Sequence, residues 1–271
     1  MLEKYHLYKL QWKKKLHSII NKIMENENEF TLKSYSKKIT PEPQTYSIFL
    51  EKRKLSQLSK KDLDDSYLNS HTVVKDSKLT VNQLLMHLSQ WGFNKKAIKL
   101  FDVGCGLGFI SNEIAKNLGY KNVYCSDPSP STKDFIKLEF PNLNFIYCDI
   151  ENVPDKFNNF FDIVYLREVY PFTRTNNIEL HKKLLKKLFS ITKENGLVVL
   201  EQVKGDQNIF NNLKNLHYEY DIKRLIPSRL LKNKIFSLLV KLNYNFTNFL
   251  LFFLYKIKKS KPRYYISFVK K

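Results

Sequence analysis

An α/β fold built on a doubly wound, largely parallel sheet is predicted by three observations. The run LFDVGCGLGF at residues 100–109 reads as a buried strand, a tight turn carrying three of the chain's seven glycines, and the opening of a helix. Two further short strands, KNVYCSD and LNFIYCD, follow at helix-length intervals, and each ends in an acid, Asp127 or Asp149. After them come FFDIVYLREV, a stretch of helical period and LVVLEQV. Strands alternating with helices fold into right-handed βαβ units with helices on both faces of one sheet.

The first strand covers residues 100–103. It delivers the chain to Gly104, Gly106 and Gly108, where a ligand can approach bare backbone before the helix opens at Ile110. A dinucleotide fingerprint, G-x-G-x-x-G, needs its third glycine where this chain has Phe109, so pyrophosphate binding and nicotinamide redox chemistry are disfavoured. The second strand ends in Asp127, about 20 residues past the turn, where an acid can accept both hydroxyls of a ribose. Asp127 also precedes Pro128 and suits a helix N-cap, and both readings stand. The third strand ends in Asp149, followed by Ile150, and the fourth, residues 162–166, runs into Arg167, Glu168 and a loop to Arg174. Ile178, Leu184, Leu185, Leu188 and Phe189 mark a helix, Asn195 and Gly196 a turn, residues 197–203 a fifth strand, and residues 263–270 a closing strand.

The G-x-G-x-G turn preceded by Asp102 resembles motif I of the class I S-adenosylmethionine-dependent methyltransferases. FDIVYLREV is similar to the FDxVxxxEV segment of that family's small-molecule branch. The resemblance covers residues 98–203. It implies a seven-stranded Rossmann-like methyltransferase sheet and S-adenosylmethionine as cofactor, with S-adenosylhomocysteine as product. It places Asp102, Gly104, Cys105, Gly106 and Gly108 at the methionine end, Asp127 and Pro128 at the ribose, Asp149 and Ile150 at the adenine, and Arg167 among the cofactor contacts. Glu168 becomes the first candidate for general base or substrate ligand. Tyr170 walls the pocket or donates a hydrogen bond, and Arg167 with Arg174 would hold an anionic acceptor such as a phosphate or a sugar acid. His181 is the alternative base by its ordinary pKa, although it lies within the helix pattern. Metal-using quinone methyltransferases carry an acid and a histidine just after the EV pair. This chain has Pro171 and Phe172 there, so no metal is expected.

Composition frames the rest. A chain of 271 residues with 43% hydrophobic content holds one packed domain and an accessory region. The expected division is an N-terminal helical cap over residues 1–80 and a methyltransferase domain over 81–271, with a helical insertion at 207–260. Cys105, Cys125 and Cys148 cannot pair completely and lack zinc-site spacing, which fits small buried side chains in a reducing cytoplasm. The net charge of +20 invites nucleic acid. However, the basic residues are scattered, and the fourth strand ends in neither a DPPY-like nor an NPPF-like run. No signal-peptide pattern forms, because Lys13, Lys14 and Lys15 interrupt the early apolar residues. Tyr46 and His71 are candidates to reach the pocket from the cap, with a structural or solvent-facing role as the alternative.

In residues 230–259, Leu231, Ile235, Leu238, Leu242, Phe246, Phe249 and Phe253 recur at helical spacing among lysines. FLLFFLY, residues 249–255, is too short to span a bilayer, which takes about 20 apolar residues. Lys256, Lys258 and Lys259 beside it suit anionic lipid, and packing on the sheet or on a partner is the alternative. The expected protein is cytoplasmic, with peripheral contact at the inner face of the membrane as an option. The resulting reading is a methyltransferase acting at oxygen on a small-molecule or glycan-linked acceptor. An RNA methyltransferase and a non-catalytic, membrane-associated interaction module remain as alternatives.

Overall fold

The computed structural model describes residues 77–93, 98–173, 175, 177–202, 219–225 and 264–270. Arg174, Tyr46, His71, Val203 and the whole of 230–259 lie outside the described residues, as does the expected cap up to residue 76. The chain divides into two compact units, Met1–Lys38 and Ile39–Lys271, and everything described belongs to the second.

Seven strands form one sheet: β1 Leu100–Val103, β2 Val123–Ser126, β3 Asn144–Ile146, β4 Phe161–Arg167, β5 Thr192–Gln202, β6 Tyr220–Arg224 and β7 Tyr264–Val269, in the order β3-β2-β1-β4-β5-β7-β6. The first five are parallel, while β7 runs antiparallel to both β5 and β6. The order reverses between β1 and β4. Neighbouring loops diverge at such a switch point and leave a crevice at the carboxyl edge, where ligands of open α/β sheets sit.

The helices follow from apolar periodicity and local caps. Helix α1, Ser77–Gln90, begins just before the expected 80/81 boundary; α2 is Phe109–Leu118 and α3 Pro130–Glu139. Val81, Leu84, Leu85 and Leu88 of α1 and Ile110, Ile114, Ala115 and Leu118 of α2 pack with Leu100, Val123, Ile163, Leu197 and Val199 in one buried cluster. Each Val, Leu or Ile side chain among them contributes roughly 1.5–3 kcal/mol on burial. His87 of α1 stacks on Tyr265 at 4.8 Å and shares a 2.7 Å hydrogen bond with the Ser267 hydroxyl, tying α1 to β7. A short turn of helix, α4 (Tyr170–Thr173), precedes α5 (Ile178–Ile191). In α5, Leu180, Leu184, Leu185 and Leu188 face inward, and the Asn177 side chain caps the helix by accepting from Leu180 N at 3.0 Å.

Three expectations need correction. The third strand ends at Ile146, not at Asp149. Among the described residues β3 is an edge strand paired with β2 alone, and β2 stops at Ser126 opposite Ile146, so the next described residues continue without a ladder. The expected helical insertion at 207–260 is interrupted by β6, whose alternating YDIKR pairs with β7. The fifth strand begins at Thr192, and the expected turn at Asn195 and Gly196 is an irregularity inside it. Phe161 faces Thr192 while Ile163 faces Leu197, and Asn195 takes a φ of +61° to absorb the extra residues.

Candidate functional site

The glycine turn is fastened to the end of β2. Gly104 N and Cys105 N both donate to Ser126 O, at 2.8 and 2.9 Å. Gly104 has a φ of +72°, and a Cβ there would lie 2.8 Å from Val169 Cγ2. Gly108, at +79°, is the residue from which α2 starts, and a Cβ on it would stand 3.0 Å from Ile136. The turn therefore needs glycine for its backbone conformation and for its neighbours alike. Cys105 and Cys125 are buried, and burial pushes the Cys105 thiol well above its ordinary range, so it is an unreactive packing group. Cys148, partly buried, is pushed up to about 11 by burial.

Asp127 is not the cap of the helix that follows it. Its Oδ2 accepts from Gly106 N at 2.9 Å and its Oδ1 from Ser129 N at 2.9 Å. The cap of α3 is instead Ser129, whose hydroxyl accepts from Thr132 N at 3.3 Å, with Pro130 as the first helical residue. Asp127 thus braces the glycine turn from the end of β2. Asp127→Ala is expected to weaken S-adenosylmethionine binding about 100-fold, and Asp127→Asn, which keeps an acceptor for Gly106, about 10-fold. Calorimetric titration measures both; unchanged affinity in the alanine variant would remove Asp127 from the ribose.

Asp102 lies beneath the turn, 2% exposed, and accepts from Ser111 Oγ of α2 at 2.6 Å. Burial raises its pKa from 3.8 to about 7, against the Ser111 hydrogen bond and the nearby Arg167 charge; Glu201 and Asp127 push it up further. Pro128 is half-buried beside Asp127, and Ile150 is buried. Asp149 Oδ1 accepts from Asn152 N at 2.9 Å and from its side-chain amide at 2.7 Å, closing the turn after β3.

On the other side of the switch point, β4 ends in a tightly held loop. Glu168 has a φ of +53°, rare outside glycine, and its N–H donates to Glu201 O at 2.9 Å. Val169 closes on Gly104, so this loop touches the glycine turn directly. α4 is anchored from below. Gln202 Nε2 donates to Phe172 O at 2.9 Å, His181 Nε2 donates to Pro171 O, and Thr173 Oγ1 donates to Val169 O at 3.2 Å. The His181 ring is buried and stacks on Phe172 at 5.4 Å, and burial lowers its pKa, which keeps the ring neutral in this bracing role. Tyr170, half-buried, opens α4.

Arg167 is committed inward. Its Nε pairs with Glu201 Oε1 at 3.1 Å, and Glu201 Oε2 accepts from the Tyr165 hydroxyl. Burial works against the guanidinium charge, but Glu201 outweighs it and holds Arg167 above its ordinary range. The structure thus brings Asp102, the glycines, Asp127, Arg167 and Glu168 to one edge of the sheet. It adds residues that the sequence reading did not select: Ser111, Ser129, Tyr165, Val169, Glu201 and Gln202. The available signal for the last two was a carboxylate and an amide at the end of an otherwise apolar strand. Among the described residues, no group of three or more His, Cys, Asp or Glu is placed to hold a metal ion, and no helix is long and apolar enough to cross a membrane.

Residues 101–200 match the family model described as a methyltransferase domain. A curated malonyl-[acyl-carrier protein] O-methyltransferase from Ilyobacter polytropus is 27% identical over 127 residues, 45% of this chain and 44% of that protein, so the chain matches under half of that relative's length. Among solved structures, a phosphoethanolamine N-methyltransferase from Haemonchus contortus in complex with S-adenosyl-L-methionine aligns with a TM-score of 0.46 at 16% identity, over 79% of this chain and 60% of that one. A magnesium protoporphyrin IX methyltransferase from Synechocystis with bound S-adenosylmethionine gives a TM-score of 0.46 at 14% identity, over 86% and 100% of the two chains.

Proposed function

We infer that the chain is a class I S-adenosylmethionine-dependent methyltransferase, a reading supported by the match of residues 101–200 to a methyltransferase-domain model, and that it transfers a methyl group to a hydroxyl of a small-molecule or glycan-linked acceptor. The residues at the carboxyl edge fit the cofactor. The glycine turn brings bare backbone to the end of β1, Asp127 stands beside it with a carboxylate suited to a ribose, and Ile150 follows β3 where the resemblance puts the purine. Bound there, S-adenosylmethionine supplies an activated methyl on a sulfonium. The chain's own residues then have three tasks. Asp102 and the turn backbone receive the methionine end, Asp149 and Ile150 the adenine, and Glu168 takes the proton of the acceptor hydroxyl.

The observation that carries the reading is Glu168 itself, held in a left-handed conformation at the end of β4, next to the residue that closes on Gly104. The strain is maintained by the loop anchors, as expected where a side chain must be aimed. An anionic acceptor is supported by the net charge of +20 of the chain. Residues 98–203 hold thirteen Lys and Arg against thirteen Asp and Glu, so the whole excess of +20 lies in the flanking segments. Phosphorylated sugars and glycan precursors suit a basic chain, and the apolar run at 249–255 with its lysines suits peripheral contact with an anionic membrane. The same excess favours RNA as the second reading.

The test begins with titration of S-adenosylmethionine, S-adenosylhomocysteine and NAD, where the two sulfur compounds are expected to bind and NAD is not. Phosphorylated sugars, glycan precursors and RNA are then screened as acceptors. With a hydroxyl acceptor, Glu168→Gln is expected to lower kcat by about 10²–10⁴ while cofactor affinity stays within a few-fold. Full turnover in that variant would end the role of Glu168 as base. Absence of cofactor binding by folded protein would move the assignment to a non-catalytic interaction module.

A further inference from the structure

We propose that Glu201 is a positioning residue for the methyl-transfer site, holding the two consecutive residues Arg167 and Glu168 through different atoms. The proposal rests on the methyltransferase reading for its functional meaning and on the geometry alone for the clamp. Glu201 sits in β5 opposite Arg167 of β4 and Tyr265 of β7, so its place is fixed by the ladders on both sides. Its side chain is buried, receiving Arg167 Nε at 3.1 Å and the Tyr165 hydroxyl, while its carbonyl receives Glu168 N at 2.9 Å. A carboxylate in such a place is costly unless it is paired and hydrogen-bonded, and removing either partner of a buried pair leaves an uncompensated charge.

The clamp has two consequences for the site. Mechanically, the strained turn at Glu168 is held to the strand that also anchors α4, because the next residue, Gln202, donates to Phe172 O. Electrostatically, Arg167 lies among acidic groups, and its charge bears on Asp102 and Glu168. Glu201 balances that cation. The groups acting on Asp102 are Ser111 of α2, Arg167 of β4, Glu201 of β5 and Asp127 after β2. With the Glu201 charge removed, Arg167 acts on Asp102 less opposed, and Asp102 ionises at lower pH.

The experiment uses the full chain carrying Glu201→Gln, which keeps the shape and an acceptor. Thermal unfolding reports folding, amide hydrogen exchange of the peptide covering residues 166–173 reports the loop, and calorimetry from pH 5 to 9 reports S-adenosylmethionine affinity. Exchange in the loop is expected to accelerate at least 10-fold, with the pH midpoint of cofactor affinity displaced downward. A folded variant with wild-type exchange and a wild-type midpoint overturns the proposal. If Glu201→Gln does not fold, Arg167→Met combined with Glu201→Gln removes both charges and keeps a partner for Tyr165. Faster loop exchange in that protein supports the clamp, and unchanged exchange overturns it. Wild-type protein that binds no S-adenosylmethionine defeats the methyltransferase reading, and the exchange measurement still judges the clamp.

Discussion

Asp102→Asn is expected to give a protein that is more stable above neutral pH and binds S-adenosylmethionine at least 10-fold more weakly. Burial raises the folded-state pKa of Asp102 to about 7 from an ordinary 3.8, so between these values the folded chain holds a proton that the unfolded chain has released. Stability from this group is therefore full below pH 3.8, falls as pH rises, and is lost once pH passes about 7. The difference is of order a few kcal/mol for a fully buried group. Asparagine is neutral throughout and retains an acceptor for Ser111, so the slope disappears and the melting temperature at pH 8 rises by roughly 5 °C or more. Binding moves the other way, because the cationic methionine end loses an ionised partner. Thermal unfolding at pH 5 and pH 8, with calorimetry at each, decides the matter. Equal melting temperatures at pH 8 would refute the buried-charge account of Asp102.

Gly104→Ala carries the second large effect. The substitution meets two obstacles, a φ of +72° and a methyl 2.8 Å from Val169 Cγ2. The backbone penalty is about 1 kcal/mol and the overpacking a further 1–3 kcal/mol. Because Val169 belongs to the loop after β4, relief of the clash moves the segment that carries Glu168. Cofactor affinity and turnover are both expected to fall, turnover the more. Combining Gly104→Ala with Val169→Ala removes the clash and leaves the backbone penalty, so the pair is expected to recover part of the lost stability. A double variant no more stable than Gly104→Ala alone would place the whole cost in the backbone.

The central strands were legible because their signals are local: short apolar runs, glycines at a turn, acids at strand ends. What escaped depends on register across the sheet. Nothing near Glu201 in sequence announces that Arg167 stands opposite, and a left-handed Glu168 between Arg167 and Val169 has no signature of its own. Asp127 was ambiguous for a physical reason. An acid before Pro128 can cap a helix or meet a ribose, and its contact with Gly106 N, 2.9 Å away in space, is not visible in the sequence. The early end of β3 was equally invisible, since it is set by where β2 stops.

The antiparallel pairing of β6 with β7 gives the molecule a seam. Arg224 and Tyr264 stand directly opposite one another, and Tyr264 in turn faces Gln202, the last residue of β5, at the same edge that bears the glycine turn. The chain thus leaves the sheet after β6 and rejoins it in β7 on paired rungs of one ladder. A two-residue hairpin would join the same two ends without disturbing a single rung of the ladder. The sheet can therefore be inherited intact while the passage between Arg224 and Tyr264 is shortened, lengthened or exchanged. In such a chain, the sheet and the segment inserted between its last two strands are free to evolve at different speeds.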